Sequence, residues 1–446
     1  MKTWLLKGSK ENQSVVLAGT ETDANTYFLG VRKLRVMTEI LGLIHLASYL
    51  ESKGWKFEQA FVADESEFSK HCSNAVVGIS TQINNYENSL QLVTIAKKNG
   101  AKLVVMGGPH ATNVADQIIA NQHNVDFVVR GQGEVAMHEI LEGEHFDRGV
   151  IDGKHIPFNL LPPRNRSLWS QLWKDEHVNL SGRKWSMISF TEGCPQAQMG
   201  NPCVFCSIRH AKKISCRTIE QMVDEMKQLQ SFGIGALEIG DDDFPGVFQK
   251  KHLGKLIIAM KNSQIDLKFF IHARTVSIVD LQHLEMLKEM GVEVIQIGIE
   301  SGDIEIKSHM SLPGKNLKTT PEKENQLIEW CKKTGTKIQA TFIVGLPGET
   351  NDSMQATFNR ALDLASQRVL WSLMIDPLVP LPESRAFQML CKKYPEFSGK
   401  DEVNTGMYIE KWFEEFTEVN LKEFLKLRTD FFSQNDITVA GMLLKI

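Results

Sequence analysis

The sequence predicts an α/β protein in which a doubly wound parallel sheet is followed by a partial (β/α)6 barrel and a small helical C-terminal subdomain. Three observations support this fold class. Short β-branched runs alternate with amphipathic helical patterns over residues 1–145, and six further strand-like runs alternate with helical patterns over residues 185–385. Residues 386–446 are rich in aromatic side chains, and their apolar positions recur at helical spacing, which is typical of packed helices.

The N-terminal series contains five compact apolar runs that we interpret as strands. Runs without interrupting polar positions predict strands that are buried on both faces of a parallel sheet. Helical patterns over residues 39–53 and 88–99 separate several of the runs, and Gly54 and Gly100 are suitable residues to end these helices. In such a sheet the ligand-binding loops lie at the carboxyl ends of the strands. The five runs are residues 15–19, 58–64, 75–80, 102–108 and 126–131.

The second series follows residues 146–184, a stretch without clear periodicity that we interpret as a linker. Its helical patterns fall at residues 218–232, 278–290 and 321–334. Strands joined by crossover helices predict a barrel or partial barrel, whose reactive groups lie at the C-terminal ends of the strands. The six strand-like runs are residues 185–190, 235–244, 268–274, 293–302, 337–349 and 369–380.

The bulk composition is that of an ordinary globular enzyme. With 446 residues, the chain is long enough for two or three domains that each bury a core. Its 42% hydrophobic and 23% charged residues, with a formal net charge of -4, give no electrostatic reason to expect a nucleic-acid partner. Residues 1–10 lack the features of a signal peptide, and no apolar run approaches the length of a membrane span. We therefore expect a cytoplasmic protein without a membrane partner.

Three of the seven cysteines lie within one short segment, CPQAQMGNPCVFC, directly after the first strand of the second series. Cys194, Cys203 and Cys206 are therefore expected where a barrel positions its reactive groups. Thiolates prefer iron-sulfur clusters, zinc or copper(I). A structural zinc ion needs a fourth ligand, which His210 could supply, so zinc remains an alternative. The other cysteines are scattered singly, which indicates reduced thiols rather than a disulfide framework. They are Cys72, Cys216, Cys331 and Cys391.

The cysteine segment, with Phe205 directly before the last cysteine, resembles the cluster motif of the radical SAM superfamily. Four later segments resemble the ends of the second to fifth strands of that family's barrel. The resemblance implies a [4Fe-4S] cluster that is held by three cysteines and whose open iron binds S-adenosylmethionine, so the cosubstrate replaces a fourth protein ligand. The four segments are GDDDF (240–244), FIHAR (270–274), IGIESG (297–302) and FIVGLPGET (342–350).

One departure from the family pattern is the spacing of the first two cysteines. Eight residues separate Cys194 from Cys203, whereas three are commonest in the family. The entropy of closing a loop grows slowly with its length, so the extra residues can bulge outward while the ends stay in place. We therefore expect the motif to keep its function.

The same resemblance implies a site for S-adenosylmethionine at the ends of the strands. Glu300 and Ser301 would contact its ribose or amino end, and Arg274 would pair with its carboxylate, as guanidinium groups do in a bidentate manner. The acidic segment after the second strand contributes Asp242 to the cofactor-binding set. Adenine contacts would come from Ile343, Val344 and the backbone of Phe205.

Plainer interpretations of these residues remain open. Arg274 and Glu300 could form a structural ion pair at the mouth of the barrel. The aspartate run 241–243 could bind a divalent metal or cap a helix. The segment 345–349 could be only a tight turn between a strand and a helix.

The strand-end loops of the N-terminal series resemble those of the Rossmann-like cobalamin-binding domain that precedes the barrel in one radical SAM subgroup. Glycine permits the close backbone approach that the nucleotide tail of cobalamin needs. A flavodoxin-like domain without a ligand is the alternative. The residues implied to bind cobalamin are Ser80, Thr81 and Gln82, then Gly107, Gly108, Pro109 and His110, and finally Gly131, Gly133 and Glu134.

The loop after the first strand, GTETDANTYFLG, contains no histidine. Free-standing cobalamin domains often carry a histidine there, which ligates cobalt from below. We therefore expect the lower face of cobalamin to be open or to meet a nonhistidine side chain from residues 80–85. His45 lies within a predicted helix and is expected to be a packed or surface residue.

Together the resemblances imply a cobalamin-dependent radical SAM methyltransferase. In such enzymes an electron from the cluster converts S-adenosylmethionine to a 5'-deoxyadenosyl radical, and the resulting substrate radical takes a methyl group from methylcobalamin. The substrate would be a small molecule or a peptide or protein side chain, and an external donor such as flavodoxin or ferredoxin would supply electrons. The alternatives are a rearrangement or cyclisation, a radical SAM enzyme without functional cobalamin, and a noncatalytic zinc-stabilised binding protein.

Overall fold

The computed structural model divides the chain into two compact units that do not simply follow chain order. The first unit comprises Met1–Lys184, Glu220–Gly233 and Pro395–Val403, and all other residues belong to the second. The structure describes residues 1–446 except 21, 24–34, 37–39, 146, 174–178, 181–182, 208–212, 279, 312–320 and 435–446.

The first part of the chain contains ten strands and six helices within the described ranges. The strands are β1 Thr3–Lys10, β2 Gln13–Thr20, β3 Thr22–Asp23, β4 Arg35–Val36, β5 Lys56–Phe57, β6 Phe61–Ala63, β7 Val76–Ser80, β8 Leu103–Gly107, β9 Phe127–Arg130 and β10 Gly149–Asp152. The helices are α1 Leu41–Glu51, α2 Glu65–Lys70, α3 Tyr86–Lys98, α4 Pro109–Asn113, α5 Ala115–Asn121 and α6 Glu134–Leu141.

The rest of the chain adds nine strands and eleven helices within the described ranges. The strands are β11 Asn179–Leu180, β12 Arg183–Ile188, β13 Thr191–Glu192, β14 Ser215–Cys216, β15 Ala236–Ile239, β16 Lys268–Arg274, β17 Val292–Glu300, β18 Lys337–Val344 and β19 Leu370–Pro377. The helices are α7 Pro195–Gln198, α8 Ile219–Ser231, α9 Phe244–Val247, α10 Lys250–Asn262, α11 Leu281–Met290, α12 Ile304–Ser308, α13 Pro321–Thr334, α14 Asn351–Ser366, α15 Arg385–Lys393, α16 Thr405–Phe416 and α17 Leu421–Gln434. No helix in the described ranges is long and apolar enough to cross a membrane.

The main sheet of the first unit has the order β10-β9-β8-β7-β2-β1-β5, and β6 also pairs with β1. Strands β2, β7, β8, β9 and β10 run parallel to one another. The first four are predicted from the sequence, whereas β10 lies in the stretch interpreted as a linker. Val77, Val104 and Val128 are fully buried in one core, which also contains Leu92 and Ala96 of α3. The parallel strand ends therefore meet at one edge of this sheet, where the predicted loops lie.

The sheet differs from the expected parallel arrangement at its other edge. Strand β1 pairs antiparallel with β2, and β5 and β6 pair antiparallel with β1. The chain reverses in the two residues between β1 and β2, where Glu11 has a φ of 53°. Because Trp4, Leu5 and Leu6 are buried, the short apolar patch near the N-terminus is a core strand.

Helix α8 belongs to the first unit although it lies between β14 and β15 in sequence. Arg164 Nη1 donates to both carboxylate oxygens of Glu225 at 2.8 Å, and Arg166 Nε donates to Glu225 Oε1 at 2.8 Å. All three side chains are almost completely buried, and removal of one partner from such a network costs about 3–5 kcal/mol. The segment interpreted as a linker therefore packs within the first unit through its arginines.

The second unit is built on six parallel strands in the order β12-β15-β16-β17-β18-β19. The order follows the chain, and the described strands form an open half-barrel, which confirms the predicted partial (β/α)6 architecture. Helix boundaries follow local signals. For example, the Asp280 side chain accepts from the His283 N–H to begin α11, and Gly291 ends the helix with a φ of 109°.

The predicted C-terminal helices are present, and α16 and α17 are anchored on the strands of the half-barrel. Trp412 Nε1 donates to the Gly345 carbonyl at 2.6 Å. Arg428 is buried, and its Nη2 donates to Asp376 Oδ1 at 3.0 Å. These bonds attach the helices to the C-terminal ends of β18 and β19.

Candidate active site

The loop that carries the three cysteines follows β12 at the C-terminal edge of the half-barrel sheet, as the sequence predicts. The eight-residue spacer between Cys194 and Cys203 contains α7, for which Cys194 is the N-cap residue and Pro195 the first helical residue. The Gln198 N–H donates to the Cys194 carbonyl at 2.9 Å, and the Cys206 N–H donates to the Cys203 carbonyl at 3.0 Å. Proline is favoured at the first position because its missing N–H would lack a helical partner anyway. The extended spacer is therefore a folded turn.

The surroundings of Cys203 favour a thiolate only when a cation is present. The pKa of its thiol is raised to about 12, first by burial and then by the charges of Glu300, Cys206 and Cys194, whereas Arg274 lowers it. The three sulfurs and the Glu300 carboxyl are thus close enough to interact electrostatically. A metal centre would overcome this penalty, because a coordinated thiol is deprotonated.

The described residues contain no preformed site for a single metal ion. In the described part of the chain, no group of three histidine, cysteine or acidic side chains is arranged to hold one metal ion. A structural zinc site needs four ligands around one point, whereas a [4Fe-4S] cluster binds each cysteine at a different iron. His210, the fourth ligand considered for zinc, lies outside the described residues.

Arg274, the last residue of β16, is held by a buried carboxylate. Its Nε donates to Asp243 Oδ2 at 2.8 Å, and its backbone N–H donates to Asp243 Oδ1 at 3.2 Å. Ser277 Oγ also donates to Asp243 Oδ2 at 2.8 Å. On its other side, the Arg274 Nη1 group donates to Gln196 Oε1 at 2.6 Å. The ion pair of Arg274 is therefore with Asp243, and not with Glu300.

The three aspartates after β15 have different environments. The two oxygens of Asp241 accept the backbone N–H groups of Phe190 and Thr191, each at 2.9 Å. Asp243 is completely buried, whereas Asp242 is exposed. Asp241 therefore fixes the chain just before the cysteine loop and Asp243 fixes Arg274, while the cofactor contact of Asp242 stays a prediction.

Glu300, at the end of β17, combines a strained backbone with a buried carboxyl oxygen. Its φ of 68° lies in a region that non-glycine residues rarely adopt, and such strain clusters at functional sites. Its Oε2 is buried without a hydrogen-bond partner. Burial raises the pKa of this carboxyl to about 7, against a lowering effect of Lys307. An unpaired buried oxygen is costly, so Glu300 is suited to accept a hydrogen bond from a ligand amine or hydroxyl.

The remaining residues predicted to contact S-adenosylmethionine lie near the same edge of the sheet. Ser301 is buried, and its Oγ lies 3.2 Å from Thr357 Oγ1. Ile343 and Val344 end β18, which neighbours β17 in the sheet. Phe205 is half-buried in the cysteine loop. The topology thus gathers these residues at one end of the half-barrel, and their individual contacts stay predictions.

The segment after β18 is a tight turn that is held by Glu349. This carboxyl is fully buried, and its Oε2 accepts the N–H groups of Gly345 at 2.6 Å and Leu346 at 3.0 Å. Gly345 has a φ of 101°, which requires glycine. Burial raises the pKa of Glu349 to about 7, although the two backbone hydrogen bonds lower it. The plainer interpretation of residues 345–349 as a turn is therefore correct for their geometry.

Replacing Glu349 with glutamine will remove a pH dependence of stability. Because the folded-state pKa of Glu349 is raised to about 7, its carboxyl contributes full stability below the unfolded-state pKa and loses it as the pH rises through about 7. The amide oxygen of E349Q can still accept both N–H groups and the amide does not ionise, so between about pH 5 and about pH 8 we expect the variant to lose about 1–3 kcal/mol less stability than the wild type.

Anaerobic urea unfolding at about pH 5 and about pH 8 measures this effect. Glu410→Gln, which changes an exposed carboxylate on α16, is the matched control. A loss of stability in E349Q as steep as in the wild type over this pH range would contradict the assignment.

A cavity of about 700 Å³ adjoins the cysteine loop. Gln196, Met199 and Asn201 of the loop line it, together with Arg274 and Ser277 at the end of β16. The volume is within the range of small-molecule sites. The extended spacer between the first two cysteines therefore forms part of the wall of a cavity.

In the first unit, hydrogen bonds join the loops at the ends of β7, β8 and β9. The Thr81 N–H donates to the Gly107 carbonyl at 2.9 Å, and the His110 N–H donates to the Thr81 carbonyl at 3.2 Å. The Gly131 N–H donates to Thr112 Oγ1 at 3.1 Å. The three loops predicted to bind cobalamin thus lie side by side at one edge of the sheet.

The glycines in these loops differ in what surrounds them. A Cβ atom on Gly108, whose φ is 96°, would lie 2.7 Å from the Thr81 carbonyl oxygen and 2.9 Å from the Thr81 nitrogen. Gly107, Gly131 and Gly133 have no neighbouring atom within 4 Å of an added Cβ. Gly108 therefore allows two loops to pack together, and the other three leave open space for a ligand.

The other residues predicted to bind cobalamin differ in exposure, and Glu134 lies near another side chain of the protein. Ser80 is half-buried, whereas Gln82 and Pro109 are exposed. Glu134 is buried at the start of α6, and its Oε1 lies 3.9 Å from His45 Nδ1. His45 lies on α1, as predicted.

The His110 ring is used by the protein itself. It is buried, and its Nε2 lies 2.8 Å from the carbonyl oxygen of Asp401 in the segment Pro395–Val403. The side chain of Asp401 also accepts hydrogen bonds from Tyr86 Oη, Asn121 Nδ2 and Gln122 Nε2 at 2.6–2.7 Å. His110 therefore anchors a distant segment of the first unit, and its contact with cobalamin stays a prediction.

Comparisons with known proteins match an N-terminal part of the chain to one family and a later part to another. Residues 30–141 match the B12 binding domain, and residues 188–361 match the Radical SAM superfamily. The chain carries a B12-binding domain followed by a radical SAM domain. It is therefore a cobalamin-dependent radical SAM enzyme, and its cofactors are a [4Fe-4S] cluster, S-adenosylmethionine and cobalamin.

Individual relatives of this radical SAM enzyme differ in the reaction that their names give. An uncharacterized methyltransferase of Pyrococcus horikoshii is 26% identical over 351 residues, which cover 73% of each chain. An anaerobic magnesium-protoporphyrin IX monomethyl ester cyclase of Rubrivivax gelatinosus is 26% identical over 387 residues, 79% of this chain and 66% of the relative. The solved methyltransferase TsrM from Kitasatospora setae, with cobalamin and a [4Fe-4S] cluster bound, shares the fold with a TM-score of 0.66 at 16% identity, over 80% of this chain and 76% of TsrM.

The residues of the radical SAM domain fit its cofactors. The raised pKa of Cys203 means that its thiolate form requires a metal centre, and Glu300 Oε2 is a buried acceptor without a partner. In the B12-binding domain, Gly107, Gly131 and Gly133 leave open space beside the loops that are predicted to bind cobalamin. Most of the loop after β2, whose missing histidine bears on the lower face of cobalamin, lies outside the described residues.

Sequence reasoning misses two side chains beside the cysteines of the radical SAM domain. Gln196 of the spacer binds Arg274, as described above. Arg385, the first residue of α15, donates through Nη2 to the Met310 carbonyl at 2.7 Å, which also accepts the Val204 N–H at 2.8 Å. The Ala386 N–H also donates to the Val204 carbonyl at 2.9 Å, so the start of α15 lies beside the cysteine loop. The only sequence signal for Arg385 is its position after the sixth strand.

Proposed function

We propose that this enzyme is a methyltransferase that moves a methyl group from methylcobalamin to a carbon centre of a small molecule or of a peptide or protein side chain. The transfer would proceed through a 5'-deoxyadenosyl radical. The observation that carries this proposal is the presence, in one chain, of a three-cysteine loop at the barrel mouth and of glycine-lined loops suited to cobalamin. The names and fold of several relatives, which are methyltransferases, also support it.

The chemistry supplied by the bound cofactors is reductive cleavage of a sulfonium and transfer of a methyl group. The protein's own residues would bind and orient the cofactors. Cys194, Cys203 and Cys206 would hold the cluster. Glu300 would accept a hydrogen bond from S-adenosylmethionine through its unpaired oxygen, and Arg274 would pair with the carboxylate.

Asp243 would support this role by holding Arg274. A guanidinium that already has one carboxylate partner is fixed in direction, and its remaining N–H groups can meet a second anion. Since Asp243 is completely buried, the ion pair also limits the movement of the β16 end. Electrons would come from an external protein such as flavodoxin or ferredoxin.

The experiment is a two-product assay on the full chain after anaerobic reconstitution with iron, sulfide and hydroxocobalamin. The protein is reduced and incubated with S-adenosylmethionine that carries a trideuterated methyl group. We expect both S-adenosylhomocysteine and 5'-deoxyadenosine, and trideuteromethylcobalamin on the protein by mass spectrometry. Formation of 5'-deoxyadenosine without any methyl transfer to cobalamin would contradict a methyltransferase.

A rearrangement or cyclisation is the second candidate, because one curated relative is named a cyclase. The same assay separates the two functions. A cyclase that uses cobalamin without methylating it would form 5'-deoxyadenosine but no S-adenosylhomocysteine and no labelled methylcobalamin.

A further inference from the structure

Gln196 is a buried polar residue in the spacer between Cys194 and Cys203. It is the second residue of α7 and is only 7% exposed, whereas Gln198 and Met199 of the same spacer are exposed. A primary amide is costly to bury unless both of its ends have partners. The contacts of Gln196 therefore indicate why the chain buries it.

The two ends of the Gln196 amide face different groups. One end lies 2.6 Å from Arg274 Nη1, and the other lies 4.0 Å from Cys203 Sγ, at the outer limit of an N–H···S hydrogen bond. A guanidinium can only donate, so the end that faces Arg274 must be the amide oxygen. The NH2 group must then point towards the sulfur. The arginine thus determines the direction of the amide.

Arg274 is itself fixed. Its Nε and its backbone N–H both bind Asp243, which is completely buried. The contacts form a chain from Asp243 through Arg274 and Gln196 to Cys203. Bonds in such a chain polarise one another, so the guanidinium strengthens the amide N–H as a donor.

We propose that Gln196 is a positioning residue that donates a hydrogen bond to the Cys203 sulfur and thereby raises the reduction potential of the iron-sulfur cluster. Hydrogen bonds to cluster sulfurs stabilise the more negative, reduced state, and they are among the factors that set cluster potentials. The long spacer between Cys194 and Cys203 supplies this donor. A shorter spacer without α7 would lack it.

The test measures the midpoint potential of the reconstituted full-length enzyme by an EPR-monitored redox titration. Gln196→Met keeps the length of the side chain and removes its N–H groups, so we expect a shift of the midpoint to a more negative potential. At the wild-type midpoint, clearly less than half of the clusters in Q196M should be reduced. Iron and sulfide contents should equal those of the wild type.

The matched control is Gln198→Met, the same change at the exposed glutamine of α7. Its midpoint should equal that of the wild type. A Q196M protein with a complete cluster and an unchanged midpoint would overturn the proposal, because a residue that only stabilises the loop does not need to change the potential.

A second measurement does not depend on the stability of Q196M. Wild-type enzyme is made by cell-free synthesis with glutamine labelled with ¹⁵N in its side chain, and the reduced cluster is studied by pulsed EPR. We expect a ¹⁵N hyperfine coupling from a glutamine side chain, and Q198M should retain it. If the wild-type enzyme shows no such coupling, no glutamine amide binds a cluster sulfur and the proposal is wrong.

Discussion

Replacing Cys203 with alanine will abolish the cluster and reduce the cleavage of S-adenosylmethionine to background. Cys203 is one of the three cysteines of the loop after β12, and its sulfur lies 4.0 Å from the Gln196 amide nitrogen. Loss of one of the three ligands leaves two of the four irons without a protein ligand, one of them the iron that is open to S-adenosylmethionine, so the cluster cannot be retained. Iron and labile sulfide analysis and the yield of 5'-deoxyadenosine measure both effects.

Cys331→Ala is the matched control for this change. Cys331 is a buried thiol on α13, and burial raises its pKa to about 12, as expected for an inert core residue. This variant should keep the iron content and activity of the wild type, with a stability loss of about 1 kcal/mol. Near-wild-type iron and sulfide in the C203A enzyme would contradict the assignment of the ligands.

Replacing Gly108 with alanine will weaken cobalamin retention by at least about tenfold and destabilise the first unit. The added Cβ would approach two backbone atoms of Thr81 to 2.7 and 2.9 Å, and neither can move independently of the sheet edge. The positive φ of Gly108 adds strain of about 1–3 kcal/mol. To relieve this clash, the loops after β7 and β8 must move apart. These are two of the loops that are predicted to bind cobalamin.

Retained corrin absorbance after gel filtration measures cobalamin binding, and urea unfolding measures stability. Gly42→Ala is the control, since Gly42 lies within α1, has no neighbour within 4 Å of an added Cβ, and should gain about 0.5–1 kcal/mol. If G108A retains as much cobalamin as the wild type, the loops after β7 and β8 do not form the binding site.

Local patterns in the sequence predict most of the fold. Helix α13 and strand β16 have the bounds that periodicity indicates, because caps, turns and apolar spacing lie within the elements themselves. The pattern does not indicate that β1 is an antiparallel core strand, since Trp4, Leu5 and Leu6 form too short a run to be distinguished from an ordinary N-terminus. The placement of α8 depends on ion pairs of Glu225 with arginines that are about sixty residues away, and no local signal reports such pairs.

The candidate site likewise contains residues that local sequence motifs predict and contacts that they do not. Sequence motifs single out the cysteines, Arg274 and Glu300 as candidates, because their chemistry and order are distinctive. They do not reveal that Gln196 is buried against Arg274, since this depends on how the spacer folds over the sheet edge. Likewise, the bond of His110 to Asp401 joins residues 291 positions apart. Sequence reasoning therefore misses hydrogen bonds between residues that only the tertiary structure brings together.

The most direct test of the central claim is EPR spectroscopy of the anaerobically reconstituted and reduced full-length enzyme, with and without S-adenosylmethionine. Iron, sulfide and corrin are quantified on the same sample. The account predicts one [4Fe-4S] cluster and one cobalamin per chain, with a reduced-cluster signal that changes when the cosubstrate is added. Stoichiometric zinc without labile sulfide, or a cluster signal that is unaffected by S-adenosylmethionine, would contradict it.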